Sequence, residues 1–141
     1  MKKIFLLLLP AICLAATAPA QNITVPAVVK TAFTAKYPGA THVKWGKESA
    51  KEYEAEFKLN NTGVSANFKM DGSWVETETV IAVSELPAAI SSAIKAKYPS
   101  ASITLAEKTE QPGNKVLYEV TIMVNGKKKG IELNPDGSFV K

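Results

Sequence analysis

Two stretches of this chain are one segment written twice. Val25-Pro26-Ala27 through Ala35-Lys36-Tyr37-Pro38-Gly39-Ala40 returns as Leu86-Pro87-Ala88 through Ala96-Lys97-Tyr98-Pro99-Ser100-Ala101. Downstream, Tyr53-Glu54 returns as Tyr118-Glu119, and Asp71-Gly72-Ser73-Trp74-Val75 as Asp136-Gly137-Ser138-Phe139-Val140. Self-similarity on this scale makes the chain a tandem pair of one supersecondary unit. A unit of roughly 60 residues buries too little surface to be secure alone. The two copies are therefore expected to share a continuous sheet or a large interface.

Each copy opens with an amphipathic helix. Val25, Val29, Ala32, Phe33 and Tyr37 share one face, as do Leu86, Ile90, Ala93, Ile94 and Tyr98, at the i, i+3, i+4 spacing of a helix packed on a core. Pro26 and Pro87 suit a first turn, Thr24 and Ser84 are candidate caps, and Tyr-Pro ends each helix because the residue before proline leaves the α region. The period then changes to two. Val43 and Trp45 alternate with His42 and Lys44, and Tyr53, Ala55, Phe57 and Leu59 alternate with Glu52, Glu54, Glu56 and Lys58. Val64, Ala66, Phe68 and Met70 resume the apolar set after an Asn60–Gly63 turn, and Asp71-Gly72 signals a hairpin into a strand through Trp74 to Val80. In the second copy Ile103 and Leu105, then Tyr118, Val120, Ile122 and Val124, then Ile131 and Leu133 form the inward sets, and Glu107 to Gly113 reads as a longer polar hairpin loop. The expected class is α+β: two α-β4 units, antiparallel strands in one curved sheet, and both helices on one face.

Residues 1–20 read as a signal peptide: Lys2 and Lys3, an apolar stretch to Ala16, and Ala18-Pro19-Ala20 as the cleavage site. The stretch is shorter than the ~20 residues of a spanning helix, so no stable membrane anchor is expected. Cys13 lacks the small preceding residue of a lipoprotein signal, Ile12 standing there instead. Cleavage near Ala20 delivers a periplasmic or secreted protein without cysteine, with repeats over residues 21–84 and 85–141. No disulfide, thiol nucleophile or cysteine metal site is then available. The net charge of +4 falls to +2 on losing Lys2 and Lys3 (17 − 2 = 15 Lys against 13 Asp plus Glu), with no arginine. Interspersed lysines exclude the clustered basic face of a nucleic-acid binder, and Lys127–Lys129 reads as a solvated hairpin tip.

Catalytic constellations are missing. His42 is the one histidine, which excludes the usual transition-metal ligand sets. No Gly-rich phosphate loop, G-x-S-x-G or H-E-x-x-H occurs. No cofactor, metal site or catalytic residue is expected, and the chain reads as a non-enzyme. Glu52, Glu54 and Glu56 line one face of a strand; such a row is either the wet side of a sheet or a ligand for Ca²⁺. Strand parity places Trp74 with Glu76 and Glu78 on the sheet face opposite the helices, with Phe139 its counterpart, and Leu117, Glu119, Thr121 and Met123 on the same face. An aromatic among charges has the composition of a protein-binding hot spot; the alternative is that Trp74 and Phe139 complete the core at a bulge.

The joint pattern (Leu/Val-Pro, a helix ending in Lys-Tyr-Pro-x-Ala, Tyr-Glu strands, Asp-Gly-Ser-aromatic, twice behind a signal peptide) resembles the PepSY-like, β-lactamase-inhibitor-like periplasmic proteins common in Bacteroidetes. The resemblance implies two α-β4 units whose open sheet face grips another protein. The expected role is thus an exported binding protein, inhibitor-like in manner, that engages a protein or peptide of the cell envelope as a monomer or weak dimer. Its contact residues would be Trp74, Phe139, Leu117, Met123, Glu52, Glu54 and Glu56. The second expectation is a small ligand or Ca²⁺ held by Tyr53, Tyr118 and the glutamates.

Overall fold

The computed structural model describes residues 23–140; the signal peptide read over residues 1–20 lies outside them. Helix α1 (Ala27–Lys36) starts at Pro26, whose carbonyl accepts the Val29 and Lys30 N–H groups, and stops at Tyr37, whose N–H bonds the Phe33 carbonyl at 2.8 Å. Helix α2 (Ala88–Lys97) repeats both ends, from Pro87 to Tyr98. Neither helix has a side-chain cap, so Thr24 and Ser84 do not serve as one. Ser84 lies instead within a 3₁₀ turn (Val83–Glu85).

The strands are β1 (Thr41–Lys47), β2 (Glu52–Leu59), β3 (Thr62–Lys69), β4 (Trp74–Ile81), β5 (Ser102–Gln111), β6 (Lys115–Val124) and β7 (Lys127–Leu133). They form one antiparallel sheet in sequential order, and β4 pairs with β5 from Thr77↔Glu110 to Ile81↔Ala106, joining the two halves. The eighth expected strand is reduced to a bridge, Leu133↔Phe139. The loop read over Glu107 to Gly113 is strand as far as Gln111, with its turn at residues 112–114. It looked like a loop because the helix-side residues at that end, Lys108 and Glu110, lie beyond both helix-covered cores and carry no apolar signal.

Both helices pack on one sheet face. Under α1 lie Tyr53, Ala55, Phe57, Val64, Ala66 and Phe68; Phe33 meets Phe57 edge-on with ring centroids 5.0 Å apart. Under α2 lie Ala106, Val120, Ile122, Ile131 and Leu133. The two Asp-Gly turns press against the helix starts. A Cβ on Gly72 would come within 3.1 Å of the Val28 carbonyl oxygen, and one on Gly137 within 2.6 Å of the Ala89 carbonyl oxygen; both glycines hold positive φ. These turns therefore need glycine twice over, for conformation and for space.

Three bulges adjust the strands. One lies between Thr41 and Lys44, where His42 has φ 55° and Val43 is exposed. A second leaves Thr104 unmatched, turning Leu105 away from the helices to pair with Thr121. The third leaves Val75 unmatched, between Phe68↔Trp74 and Asn67↔Glu76.

Candidate protein-binding face

The sheet face opposite the helices is an acidic surface built by strand register. One row of cross-strand neighbours runs Glu54–Asn67–Glu76 over β2 to β4, the next runs Glu56–Ser65–Glu78, and β5 to β7 contribute Glu107–Glu119–Glu132. With Glu52 opposite Lys69, eight of the thirteen acidic residues of the chain share this one face. Lysines of the same parity (Lys44, Lys58, Lys69, Lys115, Lys128) sit on the outer strands β1 and β7 or near strand ends. Among the described residues the one ion pair is Lys108–Glu110 at 2.9 Å, on the helix side. The carboxylates at the centre of the face have one another for neighbours.

Their protonation reflects this. Burial, followed by the charges of Glu76, Glu119 and Glu107, pushes Glu78 up to about 7, although Ser65 donates to it at 3.1 Å. Burial and then Glu107, Glu132 and Glu76 push Glu119 to about 7 as well. Glu54, Glu107 and Glu132 are raised too, in each case chiefly by burial. Like charges directly opposite on neighbouring strands destabilise a sheet, and Glu107↔Glu119 and Glu119↔Glu132 are two such pairs. Amides substitute for cations in one row: Asn67 Nδ2 donates to Glu76 Oε1 at 3.2 Å and Gln111 Nε2 to Glu76 Oε2 at 2.9 Å. Asn67 Oδ1, buried, has no donor among the described residues.

The residues named from sequence separate into two sets. Glu52, Glu54 and Glu56 lie on this face, as do Leu117, opposite Thr109, and Met123, opposite Ser102. Leu117 is only 2% exposed, so it forms floor rather than contact surface. Trp74 and Phe139 belong to the other side. The bulge at Val75 reverses the parity of Trp74, which packs on the α1 core, donates from Nε1 to Thr77 Oγ1 at 3.0 Å and lies under Lys36 Nζ at 3.7 Å. Phe139 packs on the α2 core beside Tyr98, beneath Lys97 Nζ at 4.0 Å. Tyr53 and Tyr118 also face the helices, so they do not line the open face as the small-ligand expectation required. His42 is exposed at the β1 bulge. Among the described residues no group of three or more His, Cys, Asp or Glu side chains is disposed to hold a metal ion.

Sequence reasoning did not put Glu76, Glu78, Asn67, Glu107, Glu119 and Glu132 into the site. They come from five different strands, and their convergence needs the sheet order. The available signal was the parity of each strand taken with a sequential meander.

A concavity of about 690 Å³ lies on the helix side, between the α1 core and the β5–β6 hairpin, with Thr77 and Thr79 in its lining and Tyr37, Trp74, Glu110 and Val116 around them. Its centre is already satisfied: the Tyr37 hydroxyl and Trp74 Nε1 both hydrogen-bond Thr77 Oγ1. Among the described residues no helix is long and apolar enough to cross a membrane.

Comparison with known proteins supplies context. The family described as "Putative beta-lactamase-inhibitor-like, PepSY-like" matches residues 17–62 and 51–140, two overlapping matches consistent with a repeated unit. Solved structures with the same fold include a DUF2874 family protein from Bacteroides uniformis (24% identity, TM-score 0.76, covering 84% of this chain and 88% of that one). A BLIP-like protein from Bacteroides fragilis aligns at 22% identity and TM-score 0.70, covering 84% and 85% of the two chains. A Bacteroides eggerthii structure described as "putative periplasmic proteins" aligns at 23% identity and TM-score 0.74, covering 84% and 88%. Comparison with curated proteins finds no match.

Proposed function

This chain belongs to the β-lactamase-inhibitor-like, PepSY-like family, and from that premise we propose that it is an exported, non-enzymatic binding protein that engages a protein or peptide through the open face of its sheet. Export follows from the signal peptide read over residues 1–20, with cleavage near Ala20, and agrees with the periplasmic description of a structural relative. The observation that carries the reading is the acidic face. Eight carboxylates share it, five of them with raised pKa values, and among the described residues no ion pair neutralises its centre. Groups held at such a cost without an internal partner are the ordinary mark of a functional surface. The contact set is accordingly revised from the sequence expectation. It keeps Glu52, Glu54, Glu56 and Met123, treats Leu117 as support, and replaces Trp74 and Phe139 with Glu78, Glu107, Glu119 and Glu132.

The test is photo-crosslinking from this face in an envelope extract of the source organism, with a crosslinking residue at Glu107, compared with a crosslinker at Ser92 on the exposed side of α2. The expected result is a discrete adduct from the Glu107 position that disappears when Glu78 and Glu119 are both changed to Lys. Adducts of equal yield from both positions, or an adduct indifferent to charge reversal, would count against the open face.

A further inference from the structure

We propose that the outer edge of β7 is a second interaction surface, independent of the open face, which takes up an acidic extended segment of a partner protein as an added antiparallel strand.

The internal repeat shows what belongs there. Strand β7 corresponds to β3, since Phe68↔Trp74 in the first repeat matches Leu133↔Phe139 in the second. In the first repeat the far side of β3 is filled by β4, paired from Phe68↔Trp74 to Val64↔Thr79. In the second, pairing on the far side of β7 stops among the described residues at the Leu133↔Phe139 bridge and the Val140 N–H, which bonds the Glu132 carbonyl at 2.9 Å. Among those residues, Lys127 to Ile131 have β6 on one side and no strand on the other. The helix side shows the same contrast. Tyr37, at the end of α1, is buried and its hydroxyl meets Thr77 of β4. Tyr98, its counterpart at the end of α2, is half-buried, with Lys129 Nζ 5.2 Å from its ring centroid.

This edge is fit to pair. Alternate residues of an antiparallel strand direct their main-chain groups to the same side. The Glu132 carbonyl points outward to Val140, so Gly130 and Lys128 point their N–H and C=O outward as well. The register of β7 on β6 is unbroken from Tyr118↔Leu133 to Val124↔Lys127. The opposite edge, β1, is interrupted by its bulge between Thr41 and Lys44.

The lysines select the occupant. Lys127, Lys128 and Lys129 are exposed, and the one ion pair among the described residues lies elsewhere, at Lys108–Glu110. Edge lysines discourage pairing between identical molecules. Two β7 edges would set lysine against lysine, and so would β7 against β1, which carries Lys44 and Lys47. A strand of opposite charge is favoured by the same groups. The occupant of the equivalent place in the first repeat already has a suitable alternation, with Glu76 and Glu78 toward the open face and Thr77 and Thr79 toward the helices. Acids at that spacing, ~7 Å apart along an added strand, would stand opposite Gly130 and Lys128, with Lys127 and Lys129 beside them.

The probe is a fluorescein-labelled seven-residue peptide of alternating Thr and Glu, titrated by anisotropy at pH 8 in low salt, with the Thr-Gln peptide as neutral control. Saturable binding is expected, about tenfold or more tighter than the control and weakening as salt rises. Amide exchange followed by NMR separates strand addition from loose ionic attraction. Saturating peptide is expected to slow exchange at Lys128 and Gly130 about tenfold or more and to leave Lys44 and Lys47 unchanged. Gly130, which is not at positive φ, can be changed to Pro, removing an outward N–H that the β6 ladder does not use, a change edge strands tolerate. Gly130→Pro is expected to weaken binding about tenfold. The proposal is overturned if the Glu and Gln peptides bind alike, if exchange at Lys128 and Gly130 is indifferent to bound peptide, or if folded Gly130→Pro binds as wild type does. Should Gly130→Pro fail to fold, the exchange of the wild-type amides decides the matter.

Discussion

The most exacting consequence of the acidic face is that the protein loses stability as pH rises from 5 to 8. A carboxyl whose pKa is higher folded than unfolded holds its proton more tightly in the native state. Its contribution is complete below about pH 4.5 and is lost as pH climbs through its folded value. Glu78 and Glu119 both move from 4.5 to about 7. At 1.36 kcal/mol per pKa unit, each shift corresponds to roughly 3 kcal/mol if taken whole. Both side chains are partly solvated, and screening calls for a discount of about half or more, leaving about 1–1.5 kcal/mol each. Glu54, Glu107 and Glu132 act in the same direction. Asp71 and Asp136, whose pKa values are lowered by hydrogen bonds from Ser73 and Ser138, titrate below this window and do not disturb it.

The assay is urea unfolding at half-unit steps from pH 5 to 8 for wild type and for the Glu78→Gln, Glu119→Gln double variant. Glutamine keeps the acceptor that Ser65 uses and removes the titration. Wild type is expected to lose about 2–3 kcal/mol through this pair over the range, equivalent to a fall in Tm of roughly 10 °C for a domain of this size. The double variant should match wild type near pH 5 and exceed it at pH 8 by about 2 kcal/mol. A wild-type stability that climbs from pH 5 to 8, or a double variant with the full wild-type slope, would refute the argument that these two carboxyls carry the strain.

Other consequences follow from the fold. Gly137→Ala is expected to cost about 2–4 kcal/mol, from positive φ plus a clash with the Ala89 carbonyl, whereas Gly126→Ala, also at positive φ but with nothing within 4 Å, costs about 1 kcal/mol; chemical denaturation of both would measure the steric part as the difference. Thr77→Val strands the Tyr37 hydroxyl and the Trp74 indole N–H and is expected to destabilise by about 1–3 kcal/mol, with a shift in tryptophan emission reporting the change around Trp74. Ile90→Ala, at a fully buried position on the core face of α2, is expected to cost about 2–5 kcal/mol; because β4 and β5 join the halves, the loss should appear in a single unfolding transition, and two separated transitions would show that the halves unfold independently.

Much of the scaffold was legible because periodicity is local. The 3.6-residue faces of both helices, the Tyr-Pro stops, the two Asp-Gly turns and the inward sets of β2, β6 and β7 stand where the patterns put them, as do Val64, Ala66 and Phe68 of β3, whereas Met70 lies past the end of β3 and is exposed. What failed was parity carried through a bulge. Trp74 and Glu76 are two residues apart, and alternation puts them on one face. The extra residue at Val75 separates them, and the Trp74 hydrogen bond to Thr77 belongs to the helix side. Leu105 departs for the same reason at Thr104. The acidic face was hidden differently. The net charge of +4 averages over helices that carry Lys30, Lys36, Lys95 and Lys97 and a sheet face that carries eight glutamates, so composition conceals the concentration of acid on one side.

That division bears on why the carboxylates stay where they are. An exposed antiparallel sheet face is ordinarily stabilised by pairing opposite charges across strands, and lysines are available, since fifteen follow residue 20. Exchanging Glu119 or Glu78 for lysine would replace repulsion with attraction toward their glutamate neighbours, at no packing cost comparable to that of Val120 or Ile131 on the other side. The fold therefore does not require these acids. Glycine at 72 and 137 is required by the fold, as are the apolar sets under the helices. A surface that departs from its local optimum at the cross-strand pairs Glu107↔Glu119 and Glu119↔Glu132 is what the proposed binding role would account for and what the packing of the fold does not.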